Sequence, residues 1–100
     1  MESSINGQLK EREYVLNLVR ELLISSLKLE VPIEALDPDT PLFGTGLGLD
    51  SIDAVVLVVD LETKLGISIN DQEFSSALRS INTLVDEIIK KKRNDPEYRI

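Results

Sequence analysis

Residues 50–66 read DSIDAVVLVVDLETKLG, and their reading decides the fold. The run of β-branched residues inside this segment suits a buried strand as well as a helix. Three features favour the helix. Asp50 is a good N-cap with Asp53 at the third helical position, Gly66 stands just past the last apolar residue as a stop, and about fifteen residues is long for a strand. A helix over 51–65 carries two apolar stripes when successive residues turn by about 100°. Ala54, Leu57, Val58, Leu61 and Leu65 form one, and Ile52, Val55, Val56 and Val59 form the other. Asp53, Asp60 and Lys64 lie in a polar strip between them. The first stripe is expected in the core. The second, centred about 150° away, is expected to be partly covered by loop and short helix, with Val56 and Val59 left for a partner.

Outward from this helix the punctuation is clear. Upstream, residues 31–50 hold Pro32, Pro38, Pro41, Gly44, Gly46 and Gly48, which forbid a regular helix and predict a long loop. Loops of this length are usually functional. Ile33, Leu36, Leu42, Phe43 and Leu47 are candidates to pin it to the core. Before it, Val15, Leu16, Val19, Leu22, Leu23 and Leu27 recur at helical spacing, predicting a helix from about Leu9 to Leu29 with Glu11 and Glu13 near its start. Downstream, Asp71 to Arg79 is expected to form a short helix or a single turn. Ser80 then caps a last helix with the stripe Ile81, Leu84, Val85, Ile88 and Ile89, closed by Lys90 to Arg93. Residues 1–7 and 94–100 are expected to be loose. The prediction is an all-α bundle of three main helices plus one short helix, in a single domain spanning 1–100 with its core over about 9–92.

Composition narrows the chemistry. The 100 residues contain neither Cys nor His, which removes disulfides, thiolate metal sites and the commonest general base. A serine hydrolase needs a base for its nucleophile, and no Ser-x-x-Lys pairing includes Ser51. Asp37 and Asp39 only partly match a calcium loop, since Pro41 replaces an oxygen ligand and Gly48 stands where the final Glu belongs. The glycines at 44, 46 and 48 have the wrong spacing for a dinucleotide fingerprint. No catalytic residue and no metal site is expected. No apolar run approaches the ~18 residues of a membrane span, and no signal-peptide pattern opens the chain, so a cytoplasmic monomer is the expectation. The net charge is −7, and residues 30–62 hold eight acidic residues and no basic one. Such a surface repels nucleic acid and attracts basic partners. The cations of Lys90 to Arg93 read as a solvated helix end.

Ser51 opens the central helix, where unpaired backbone N–H groups and the positive dipole end suit an anion. Taken alone, a serine there is commonly a plain cap. The stretch GLGLDSIDAV, residues 46–55, strongly resembles the phosphopantetheine attachment site of acyl carrier proteins. The likeness continues through Leu57, Leu61 and Glu62, LGISI at 65–69, and DPDTPLF at 37–43, and it spans about residues 10–92. The resemblance implies an acyl-carrier-like bundle in which a phosphopantetheinyl transferase moves 4′-phosphopantetheine from coenzyme A onto Ser51, with Asp50 as part of the motif. It implies an acyl carrier that presents acyl chains, as thioesters on that arm, to acyl-transferring and chain-elongating enzymes of fatty-acid or polyketide type. Their basic patches would meet Asp50, Asp53, Asp60 and Glu62, and their apolar surfaces would meet Ile52, Val55, Val56 and Val59. Val56 stands where the family commonly has an acidic residue, and Thr63 and Lys64 thin the acids at the helix end, which points to a specialised carrier. A peptidyl or aminoacyl carrier and an unmodified helical interaction module are the alternatives.

Overall fold

The computed structural model describes residues 3–44 and 46–94. Its helices are α1 (Ser3–Leu27), α2 (Ser51–Leu65), α3 (Asp71–Ala77) and α4 (Ile81–Arg93), with a single 3-10 turn at Ile33–Ala35. The all-α reading holds, and α2 has the bounds that its caps dictate. The Asp50 carboxylate accepts the Asp53 N–H while the Asp53 carboxylate accepts the Asp50 N–H, and Gly66 closes the helix in the left-handed region at φ 66°. Reciprocal capping boxes also open α3, from Asn70 and Glu73, and α4, from Ser80 and Thr83.

The first helix differs from expectation. It starts at Ser3, about six residues early, so the N-terminal stretch expected to be loose is helical from that residue onward. Glu11 and Glu13 therefore lie well inside α1 rather than near its start. Glu11 is buried and pairs with Arg93 of α4. This pair gives the acid a tertiary role in place of the expected dipole role. Beside it, Arg12 bridges α1 to α4 through Asp86 at 2.6 Å and the Asn82 side chain at 2.6 Å. At the other end, α1 stops at Leu27, two residues short of the expected boundary, because Lys28 turns left-handed at φ 54°. The expected loose C-terminal stretch, apart from Asn94, lies outside the described residues.

One core joins these elements. Val15, Val19 and Leu23 of α1 meet Leu57 and Leu61 of α2 and Leu84, Val85 and Ile88 of α4, all of them buried. The long loop is fixed by Leu36, Leu42 and Leu49, which are buried, and by Phe43 and Leu47, which pack partly against the core. Ile33 is only half-buried and lies outside that cluster, so it is not one of the pins. The loop's backbone runs across the start of α4. Asn82 N–H donates to Pro38 O at 2.8 Å, and Leu42 N–H donates to Arg79 O at 3.3 Å. The loop then folds on itself, with Leu47 N–H on Pro41 O and Leu49 N–H on Leu42 O, each at 2.9 Å. A Cβ at Gly46 would overlap the Pro41 carbonyl, so this fold-back requires glycine there. The chain is thereby delivered to Asp50 at a fixed angle.

Candidate functional site

Ser51 is the first residue of α2 and is exposed. Among the described residues, no group accepts its backbone N–H or that of Ile52, and none bonds its hydroxyl. The Asp50–Asp53 box takes up the third donor of the helix end. The hydroxyl therefore stands at the exposed end of a capped helix, beside two unpaired donors and the positive end of the helix dipole. This arrangement fits a phosphodiester. Asp50 and Asp53 oppose a second anion at close range, and their mutual hydrogen bonds turn one oxygen of each toward the backbone.

The second stripe of α2 is more open than expected. Ile52 is 74% exposed, Val55 54%, Val59 52% and Val56 40%. Neither the loop nor α3 covers this face, and all four residues are available, not Val56 and Val59 alone. The reason lies in how α2 is flanked. Asp60 accepts a hydrogen bond from Ser26 of α1. Glu62 accepts the N–H of buried Ile69 at 2.9 Å, which holds the α2–α3 connection. These two residues project about 160° apart around α2, so its neighbours grip the helix by opposite sides of its core stripe and leave the valine strip bare.

The same contacts divide the acids of α2. Asp50 and Asp53 sit beside Ser51, whereas Asp60 and Glu62 have partners inside the fold. The internal roles of Asp60 and Glu62 were not visible in the sequence, because they depend on what α1 and the 66–70 connection bring near. Among the described residues there is no cluster of metal-ligating side chains and no helix long and apolar enough to cross a membrane.

The phosphopantetheine attachment site family matches residues 14–88, three-quarters of the chain, and the chain belongs to that family. It is a carrier rather than a catalyst, and its cofactor is covalently attached 4′-phosphopantetheine. Among curated proteins it is similar to an acyl carrier protein of Chlorobium phaeobacteroides, at 29% identity over 85 residues, which covers 85% of this chain and 96% of that relative.

Proposed function

We propose that Ser51 is the attachment point and that the chain is one carrier domain that holds acyl intermediates for fatty-acid or polyketide-type enzymes. The observation that carries this reading is the exposed Ser51 hydroxyl beside two unpaired N–H groups at a doubly capped helix start. The attached group supplies the thiol, absent from a chain without cysteine, on which an acyl group is held as a thioester. The protein's own residues do the rest. The Asp50–Asp53 box and Gly46 fix where the serine stands. The bare strip of Ile52, Val55, Val56 and Val59 offers an apolar contact, and Asp50 and Asp53 offer charge to basic enzymes. The uninterrupted apolar strip supports a specialised set of partners.

The test is intact mass after incubation with coenzyme A and a phosphopantetheinyl transferase. The expected outcome is a single added phosphopantetheine on the unaltered chain and none on Ser51→Ala, whose circular dichroism and melting stay close to those of the parent. Modification of the alanine variant would refute the assignment.

A further inference from the structure

The segment 38–42 lies between the start of α4 and the stretch that leads to Ser51. On one side it is bonded to residues 79–82. Asn82 N–H donates to Pro38 O at 2.8 Å, Ile81 N–H to Thr40 O at 3.3 Å, and Leu42 N–H to Arg79 O at 3.3 Å. On the other side Pro41 O and Leu42 O accept the N–H groups of Leu47 and Leu49, each at 2.9 Å. Leu49 directly precedes the Asp50 cap. The start of α4 and the start of α2 are therefore joined through one layer of backbone, and a shift of that layer is passed on to Asp50 and Ser51.

Asn82 grips the same layer a second time, with its side chain. Its amide nitrogen donates to Asp39 Oδ1 at 2.6 Å, and its amide oxygen accepts from Arg12 Nη2 at 2.6 Å. The other terminal nitrogen of Arg12 bonds Asp86 Oδ1 at 2.6 Å. A turn in the loop presents Asp39 to this contact, since Asp37 Oδ1 accepts the Asp39 N–H at 2.8 Å and Asp37 O accepts the Thr40 N–H at 3.0 Å. An asparagine suits the place because its two ends differ. The oxygen meets a cation and the NH2 meets an anion, so the amide has one orientation and both bonds are charge-assisted. A carboxylate at 82 would face Asp39, and an ammonium would face Arg12.

We infer that Asn82 is a positioning residue for attachment at Ser51. It ties α1 and α4 to the 38–42 layer, and that layer sets where the Asp50 cap, and with it the serine hydroxyl, stands. The inference rests on the reading of Ser51 as the attachment point. Among the described residues, Asn82 makes no hydrogen bond to α2. Its loss therefore leaves the strip and the acids that meet a transferase in place, and alters how the hydroxyl is presented once the transferase has bound.

A swap that conserves charge tests this on the full chain. Asn82→Asp sets a carboxylate against Asp39. It is expected to lower kcat for loading about fivefold, the worth of about one hydrogen bond, while KM stays within about twofold. The Asp53 amide, which the Asp50 cap holds, is expected to exchange faster by a similar factor relative to that of Leu23 in α1. Adding Asp39→Asn to that variant reverses the donor and acceptor ends, leaves Arg12 its acceptor and restores the parent's net charge. Both readouts are then expected to return close to the parent's. Asp39→Asn alone keeps an acceptor for Asn82 and is expected to leave kcat close to the parent's. A fall carried by KM, a swap as slow as Asn82→Asp, or an Asp53 amide that exchanges alike in Asn82→Asp and the parent would each overturn the inference. A parent chain that takes up no phosphopantetheine at Ser51 would overturn the attachment reading, and the Asp53 amide would still show whether Asn82 sets the cap.

Discussion

Val56 is 40% exposed beside Ile52 and Val59, so a change there acts on the surface of α2 and not on its core. Replacing it with glutamate restores the charge that acyl carrier proteins commonly hold at this place. Burial of a valine at an interface contributes up to ~1.5 kcal/mol, about tenfold in affinity. A carboxylate pressed there without a basic partner costs a similar amount or more. If the chain serves a specialised set of enzymes, as proposed, Val56→Glu is expected to weaken use by that set by about tenfold and to improve use by general fatty-acid enzymes. Folding stability should stay within about 0.5 kcal/mol of the parent. Kinetics with both enzyme sets and thermal melts check the two halves of this expectation. A large drop in melting temperature, or unchanged selectivity, would contradict it.

At the scale of the element, α2 was legible in the sequence because its signals are local. Asp50, Asp53 and Gly66 act within one turn of the residues they terminate. The 3.6-residue period separated the core stripe from the bare one. The start of α1 was missed for the same physical reason in reverse: its polar first turns carry no core stripe, so periodicity could not mark them. The internal roles of Glu11 and Asp60 depend on partners far along the chain, Arg93 and Ser26, and that of Glu62 on how the chain turns back after Gly66 to bring Ile69 near, none of which spacing encodes. That difference divides the acids of α2 by experiment. Asp53→Lys is expected mainly to slow loading by the transferase. Its cost in stability is about 1 kcal/mol from the lost cap and the unfavourable charge at the helix start. Glu62→Lys leaves the N–H of Ile69 without its acceptor and is expected to cost about 1–3 kcal/mol, whereas Glu62→Gln restores most of that stability. Urea denaturation together with loading rates separates the two effects. A stability loss at Asp53 as large as at Glu62 would contradict this division.

Across the whole molecule the charge is unevenly placed. Residues 30–62 carry −8, and the remaining 11 basic and 10 acidic residues carry +1, which together give −7. Partners approaching the acidic segment are steered by a field that salt screens over about 8 Å at physiological ionic strength. Glu73 adds a pH dependence of its own. The hydrogen bond from Lys91, then that from Asn70, holds the Glu73 carboxyl below its ordinary 4.5. A carboxylate with a depressed folded-state pKa stabilises the fold fully above the unfolded value, and this contribution is lost as pH falls from about 4.5 through the folded value. NMR titration is expected to place Glu73 below 4.5 in the parent and closer to it in Lys91→Met. The variant's stability should then depend less on pH in that window. An unmoved Glu73 titration would show that Lys91 is not the cause.

The bare strip of α2 is made wholly of β-branched side chains: Ile52, Val55, Val56 and Val59. In a helix such side chains are nearly confined to one χ1 rotamer before anything touches them. Leucine or methionine in their place would have to surrender rotamer freedom on contact, at a cost of about 0.5–1.5 kcal/mol for each side chain held. The strip has already met most of that cost during folding. Its contour is the same for every visitor, so discrimination falls to the visitor's shape, and a small contact can suffice for recognition while still letting go quickly. Such a surface is hard and small rather than soft and large, which would suit the proposed carrier as it meets several enzymes in turn.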